Sequence, residues 1–156
     1  MLLEESVMLI KKFFSFLFEK HNFHAVFVKE FRPDHYSIGL EANNCKILFY
    51  RELSGWNMFI GGSTAKFENE IGEWVLFENL MFYLIKKEID RSYLAGKLYD
   101  ERVIASLRDT AKEFEPLSKQ IIEMFRSPQV VAQWRPEYDK LIHEETQRRY
   151  GVNKKK

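Results

Sequence analysis

Residues 36–61, YSIGLEANNCKILFYRELSGWNMFIG, hold three runs in which apolar residues alternate with polar or small ones. This period of two is typical of β-strands that bury one face. A two-residue turn at Asn43-Asn44 places three apolar pairs opposite one another, namely Ala42 with Cys45, Leu40 with Ile47 and Ile38 with Phe49. The same register places Glu41 opposite Lys46, an attractive cross-strand pair on the other face. The stretch therefore predicts an antiparallel meander with one buried face.

The second connection contains Ser54-Gly55, a residue pair with turn chemistry. A turn there would pair Phe49 with Ile60 and Arg51 with Met58, which keeps the apolar face continuous. The opposite face carries Leu48, Tyr50 and Phe59 and is too apolar to be fully exposed to solvent. We expect a helix or a partner to cover it.

The segment before this stretch predicts a helix and one more strand. Apolar residues in 3–21 recur at helical spacing, at Leu3, Val7, Ile10, Phe14 and Leu17. The run FHAVFVKEF (23–31) then returns to a period of two, with Phe23, Ala25, Phe27 and Phe31 on one side. The meander therefore has four strands, and it packs against the N-terminal helix.

The remainder of the chain predicts helices. Residues 63–73 have no clear period and indicate a loop, 74–89 indicate a helix, and Asp100 is the expected N-cap of a long third helix that Pro116 bends or divides. Ser127-Pro128 marks another helix start. Arg135-Pro136 interrupts that helix, and a last one follows over 137–150. The fold class is α+β in a single domain, 1–156, with a helix plus meander (1–62), a mostly helical part (63–150) and a flexible basic tail (151–156).

Composition excludes several classes of protein. Hydrophobic residues make up 46 % and aromatic residues 15 % of the chain, which excludes disorder for its body. The formal net charge is +1, so no global field favours nucleic acid or a membrane surface. No uncharged stretch is long enough to span a membrane, and one cysteine, Cys45, is compatible with a reducing compartment. We expect a cytoplasmic protein.

Motifs for chemistry are lacking in the sequence. His21 and His24 form an HxxH without further ligands at zinc spacing, and Gly61-Gly62-Ser63-Thr64 has neither a P-loop lysine nor a dinucleotide fingerprint. Cys45 lies on the apolar face of a strand and is expected to be a small buried hydrophobe. We therefore expect no catalytic, metal-binding or cofactor-binding residues.

One segment combines acidic and aromatic residues in a way that suits a protein interface. Between Lys66 and Glu78 the sequence interleaves aromatic residues with the acidic residues Glu68, Glu70, Glu73 and Glu78. Acidic groups beside aromatic anchors favour contact with a basic protein surface. We take these four acids and Trp74 as a candidate partner-binding set, with Trp74 either an anchor or a core residue. A plain solvated loop is the alternative.

The long helix after Asp100 and the apolar second sheet face leave two assemblies open. One is a homodimer, and the other is a monomer whose C-terminal helices fold back over the sheet. The basic residues near the C-terminus, from Arg148 to Lys156, suit a solubilising end, and a nucleic-acid contact is the alternative.

The runs DHYSIGLEANNCKILFYRELSGWNMFIG (34–61) and EWVLFENLMFYLIKK (73–87) resemble a pattern in small uncharacterised bacterial proteins. These include immunity-protein-like domains encoded beside polymorphic or contact-dependent toxins. The resemblance spans about Met1 to Glu88 and includes an R-E-x-x-G turn at 51–55. It implies a non-enzymatic cytoplasmic protein that binds and occludes a toxin. The alternative is an intracellular enzyme or a nucleic-acid accessory factor without a recognisable motif.

Overall fold

A computed structural model describes residues 2–52, 55–69 and 73–150. The predicted α+β class is confirmed: an N-terminal helical segment, an antiparallel sheet and a set of C-terminal helices follow one another along the chain. The helices are α1 (Leu3–Phe13), α2 (Ser15–Lys20), α3 (Phe77–Ile85), α4 (Tyr99–Phe114), α5 (Ser118–Met124) and α6 (Pro128–Tyr150). The strands are β1 (His24–Arg32), β2 (His35–Ala42), β3 (Cys45–Glu52), β4 (Gly55–Gly61) and β5 (Val75–Leu76). Short 3-10 turns lie at Ser92–Gly96 and Glu115–Leu117.

The sheet has the order β1-β2-β3-β4-β5, and all of its neighbours are antiparallel. The register predicted for the first hairpin is confirmed, since Ala42 lies opposite Cys45 and Glu41 lies opposite Lys46. The fifth strand was not predicted. Its two residues lie where the sequence indicated the start of a helix, and α3 begins only at Phe77.

The predicted register of the second hairpin is wrong by two residues. Phe49 lies opposite Met58, and Arg51 lies opposite Trp56. Gly55 is the first residue of β4 rather than a turn residue, and its φ of 154° lies in the region that favours glycine. Because the error is an even number of residues, each side chain keeps its predicted face.

The predicted grouping of the β1 side chains is also wrong. The register shifts between Ala25 and Phe27, so a β-bulge reverses the alternation along the strand. Phe27 lies opposite Gly39 on the second face, and Phe31 contacts the ring of Tyr50 on that same face. Period-two counting does not detect such an inserted residue.

The first face of the sheet forms the main core with the helices. Its buried residues come from β2, β3 and β4 and pack against rings and aliphatic side chains of α1, α2, α3, α4 and α5. The N-terminal segment is broken at Phe14, which separates α1 from α2 and is itself completely buried. Helices α4 and α5 thus pack against the first face of the sheet.

The loop after β4 covers part of the second face, which the sequence had assigned to a helix or a partner. Leu48, Ala65 and Trp74 form a small buried cluster there, with Phe59 and Phe67 packed against it. Lys46 Nζ holds the loop by donating to the carbonyl oxygens of residues 63 and 65, at 3.2 and 2.7 Å.

The C-terminal helices begin and end as the sequence predicted, with two exceptions. Pro116 divides α4 from α5, and Ser127 Oγ accepts from Val130 N at 3.2 Å, so it caps α6 as expected. Asp100 is not the N-cap of α4, which begins at Tyr99. Pro136 does not end α6, which runs unbroken through it.

The predicted basic tail, 151–156, lies outside the described residues. Within the described ranges, no helix has the length and apolarity required to cross a bilayer.

Candidate functional site

The described residues of the predicted partner-binding set lie in different parts of the fold. Glu68 is exposed on the loop that covers the second sheet face, Glu73 lies in a groove beside α6, and Glu78 lies in the first turn of α3. Glu70 lies outside the described residues.

Trp74 is a core residue of the folded chain, with 6 % of its surface exposed. Its Nε1 donates to the carbonyl oxygen of Lys66 at 2.9 Å, and its ring lies 5.6 Å from that of Phe67. Trp74 thus satisfies its one polar group internally and fixes the covering loop. Of the two roles that the sequence left open, its burial favours the packing role.

Glu78 is partly buried rather than solvated. Burial raises the pKa of its carboxyl, and the nearby Glu113 carboxylate acts in the same direction, while a backbone hydrogen bond and Arg91 oppose the shift. Arg91 itself forms a bidentate pair with Glu113, at 2.6 and 3.1 Å. Glu78 therefore lies in an internal charge cluster and is poorly placed to steer a partner.

A groove lies between α6 and the loop that carries Glu73, and Glu73 is one of its lining residues. We call it the α6 groove. The groove has a volume of about 340 Å³. Its floor is apolar and includes Phe125, Pro128 and Val131, and its opposite wall is the loop at 62–64. The side chain of Asn44 fixes this end of the sheet to the helices, because its Nδ2 donates to the carbonyl oxygen of Arg126 at 2.7 Å.

The rim of the α6 groove presents hydrogen-bond acceptors. Glu73 is exposed, and its Oε1 accepts from Thr64 Oγ1 at 2.7 Å, which holds the carboxylate at the rim. Across the groove, Asp139 Oδ1 accepts from Arg135 Nε at 2.9 Å, while 59 % of the Asp139 side chain stays exposed. The rim therefore carries two carboxylates and one guanidinium.

Pro136 adds a further acceptor to the groove. A proline has no backbone N–H, so the carbonyl of Ala132, four residues earlier, receives no helical hydrogen bond from it. Both Ala132 and Pro136 line the groove. The helix continues across this position because Trp134 and Tyr138 anchor it on either side: Trp134 Nε1 donates to the carbonyl oxygen of Met124 at 2.9 Å, and Tyr138 is 5 % exposed.

Arg51 is a buried cation that sequence reasoning placed on the sheet without assigning it a role. It is completely buried on β3, and the rings of Tyr36, Trp56 and Tyr99 lie 5.4 to 6.0 Å from its guanidinium carbon. Its Nη2 donates to Tyr99 Oη at 2.5 Å and lies 3.8 Å from Asp34 Oδ1. Its Nη1 has no hydrogen-bond partner among the described residues. Three aromatic rings thus surround this buried charge.

Ser118 and His21 are in contact, with 3.3 Å between Oγ and Nε2. The hydroxyl of Ser118 donates to the carbonyl oxygen of Glu115 at 2.8 Å. Burial and the neighbouring Lys20 lower the pKa of His21. A nucleophilic serine would donate its hydrogen to the imidazole, whereas Ser118 donates it to a backbone carbonyl. The contact between Ser118 and His21 therefore suits a packing role that connects α5 to the end of α2.

Cys45 is also unsuited to chemistry in the folded chain. Burial raises the pKa of its thiol to about 12, so the reactive thiolate is suppressed at neutral pH. It is a buried residue of the first sheet face, as the sequence predicted.

The α6 groove combines apolar lining residues with an acceptor-rich rim, a geometry suited to binding. Comparison of the chain with family models, curated proteins and solved structures found no match.

Proposed function

We propose that this protein is a non-enzymatic interaction module and that the α6 groove receives a basic side chain of a protein partner. The observation that carries the proposal is that Glu73 from the loop and Asp139 from α6 line the same groove together with apolar side chains. A lysine or arginine side chain has matching chemistry, since its apolar stem covers hydrophobic surface while its charged head seeks acceptors.

The proposed contacts of the basic side chain run from the apolar residues of the groove to the acceptors at its rim. The stem would pack on Val131 and Phe125, and the head would reach the carboxylates of Glu73 and Asp139 and the carbonyl oxygen of Ala132. Arg135 already pairs with Asp139 and offsets one of the two negative charges. The rim is therefore net negative by one charge, which favours a cation and disfavours an anion.

The resemblance in the sequence extends the proposal to an immunity protein that binds and occludes a toxin. Toxins that act on nucleic acids carry basic clefts, and such a surface would supply the cation for the groove. The genes beside this one test that extension directly. A toxin gene immediately upstream would support it, and an operon of metabolic or replication genes would contradict it.

A short peptide tests the groove without a known partner. We would titrate a tri-arginine peptide into labelled protein and follow backbone amide shifts, with a tri-citrulline peptide as the neutral control. The expected result is shifts at Thr64, Glu73 and Ala132 with the arginine peptide alone. Equal shifts with both peptides, or shifts confined to other residues, would contradict the proposal.

Two variants complete the test. Glu73→Gln combined with Asp139→Asn should weaken peptide binding by about tenfold or more, because two partly exposed charge-assisted hydrogen bonds become neutral ones. Glu68→Gln removes one negative charge from the same acidic segment but outside the groove, and it should leave binding within about twofold. Equal losses in both variants would indicate general electrostatic attraction instead.

A further inference from the structure

Strand β1 is a long edge strand with exposed apolar side chains. Within the described residues it pairs with β2 on one side and has no strand on its other side. Val26, Val28 and Phe31 are 46 %, 48 % and 49 % exposed. The opposite edge, β5, is two residues long. An edge of this length with half-exposed apolar side chains is a template for pairing with another strand.

The surfaces that the sequence suggested for a homodimer are buried or partly covered within the chain. The apolar stripe of α4 is buried in the core through Val103, Leu107 and Phe114. The covering loop occupies part of the second sheet face. The edge of β1 presents a further surface for self-association.

We propose that β1 pairs with β1 of a second copy, antiparallel, around a two-fold axis through Val28. A two-fold axis perpendicular to the sheet keeps each side chain on its own face, and residues opposite each other in a sheet share a face. Because neighbouring residues of a strand lie on opposite faces, the axis must pass through one residue and its copy and cannot pass between two residues. An axis at Lys29 or at Glu30 would place identical charges directly opposite each other, which is destabilising. An axis at Phe27 would bring the bulge at Val26 into the centre of the new ladder.

The axis through Val28 avoids both problems. Val28 meets its own copy, a favourable pair of β-branched side chains, and Lys29 lies opposite Phe27 of the second copy. Lys29 is suited to an aromatic neighbour, since its Nζ already lies 4.9 Å from the ring centroid of Phe31. The register irregularities at Val26 and at Phe31 then both fall outside the three central pairs. A single strand pair is a small interface, so we expect weak, concentration-dependent dimers.

Sedimentation equilibrium over the micromolar to millimolar range tests the assembly. Wild-type protein should approach twice its 18.7 kDa mass at the highest concentrations. Val28→Lys places two cations opposite each other on the axis and should weaken the dimer at least about tenfold. Met8→Lys introduces the same charge at another exposed apolar residue, on α1, and should leave the dimer unchanged. A wild-type monomer throughout the range, or equal losses in both variants, would overturn the proposal.

A cysteine placed on the axis tests the register. Val28→Cys should form a disulfide-linked dimer under mild oxidation, because the two thiols would lie opposite each other. Glu30→Cys should not, since it would lie opposite Val26. The native Cys45 does not interfere, because it is buried. Crosslinking of Glu30→Cys but not of Val28→Cys would contradict the proposed register, whatever the result of the α6 groove experiments.

Discussion

Phe67 lies directly above Gly39. A Cβ added at position 39 would lie 2.5 Å from Cδ1 and Cε1 of the Phe67 ring. The same ring stacks on Phe27 with a centroid distance of 5.4 Å and an interplanar angle of 12°. The glycine in β2 therefore provides the space in which the loop after β4 lies on the second face of the sheet.

We predict that Gly39→Ala destabilises the protein by about 1–3 kcal/mol, because the added methyl group overpacks the contact with Phe67. Urea denaturation measures the loss. Gly96→Ala is the control and should change the free energy of unfolding little, since an added Cβ there meets no atom of the described chain within 4 Å. In the background of Phe67→Ala the cost of Gly39→Ala should shrink. An unchanged cost would show that the added methyl group clashes with Phe27 Cβ, which would lie 3.0 Å away, instead.

The first hairpin illustrates what the sequence can predict. In β2 and β3 the apolar pattern and the Asn43-Asn44 turn lead independently to the same register, and that register is observed. The second hairpin offered a choice between registers that differ by two residues, and the apolar pattern cannot distinguish them because both keep each side chain on its face. The observed choice pairs Arg51 with Trp56, a cation and aromatic contact of 5.8 Å.

Tyr99→Phe should destabilise the protein by about 1–3 kcal/mol, because it removes a hydrogen-bond acceptor from the buried guanidinium of Arg51. Thermal and urea unfolding would measure it, with the exposed Tyr150→Phe as a control that should be nearly neutral. In the background of Arg51→Met, where no guanidinium remains, Tyr99→Phe should cost little. A full cost in that background would mean that Tyr99 Oη stabilises the fold through another group.

Glu78→Gln should stabilise the protein at neutral pH. Burial raises the pKa of Glu78, so the folded chain holds the proton more tightly than the unfolded chain does, and stability falls as the pH rises through that raised pKa. The neutral amide avoids this loss. The difference in melting temperature between variant and wild type should therefore vanish at a pH below the ordinary range of a glutamate. A stabilisation that persists at low pH would point to a packing effect instead.

The α6 groove was only partly accessible to sequence reasoning. Glu73 belongs to the acidic segment that the sequence singled out, and its place in the groove follows from the loop that Trp74 and Lys46 fix to the sheet. Asp139 and Ala132 were missed, because they lie more than fifty residues further along the chain. Pro136 was interpreted as a helix break. Trp134 contacts the ring of Phe125 and Tyr138 contacts the ring of Tyr83, and these tertiary contacts leave no signal in the sequence around Pro136.

Pro136→Ala should raise stability and lower groove binding at the same time. The alanine restores a backbone N–H that can donate to the carbonyl oxygen of Ala132, and a proline inside a helix is disfavoured by about 3 kcal/mol relative to alanine. We expect a gain of about 1–3 kcal/mol in the free energy of unfolding, because the rigid proline also lowers the entropy of the unfolded chain. Binding of the tri-arginine peptide should weaken, since the carbonyl oxygen then has a helical donor. Gln133→Ala, at an exposed position of the same helix, is the control and should alter neither property. If Pro136→Ala stabilises the helix yet binds the peptide as wild type does, the Ala132 carbonyl takes no part in binding, and recognition rests on the two carboxylates.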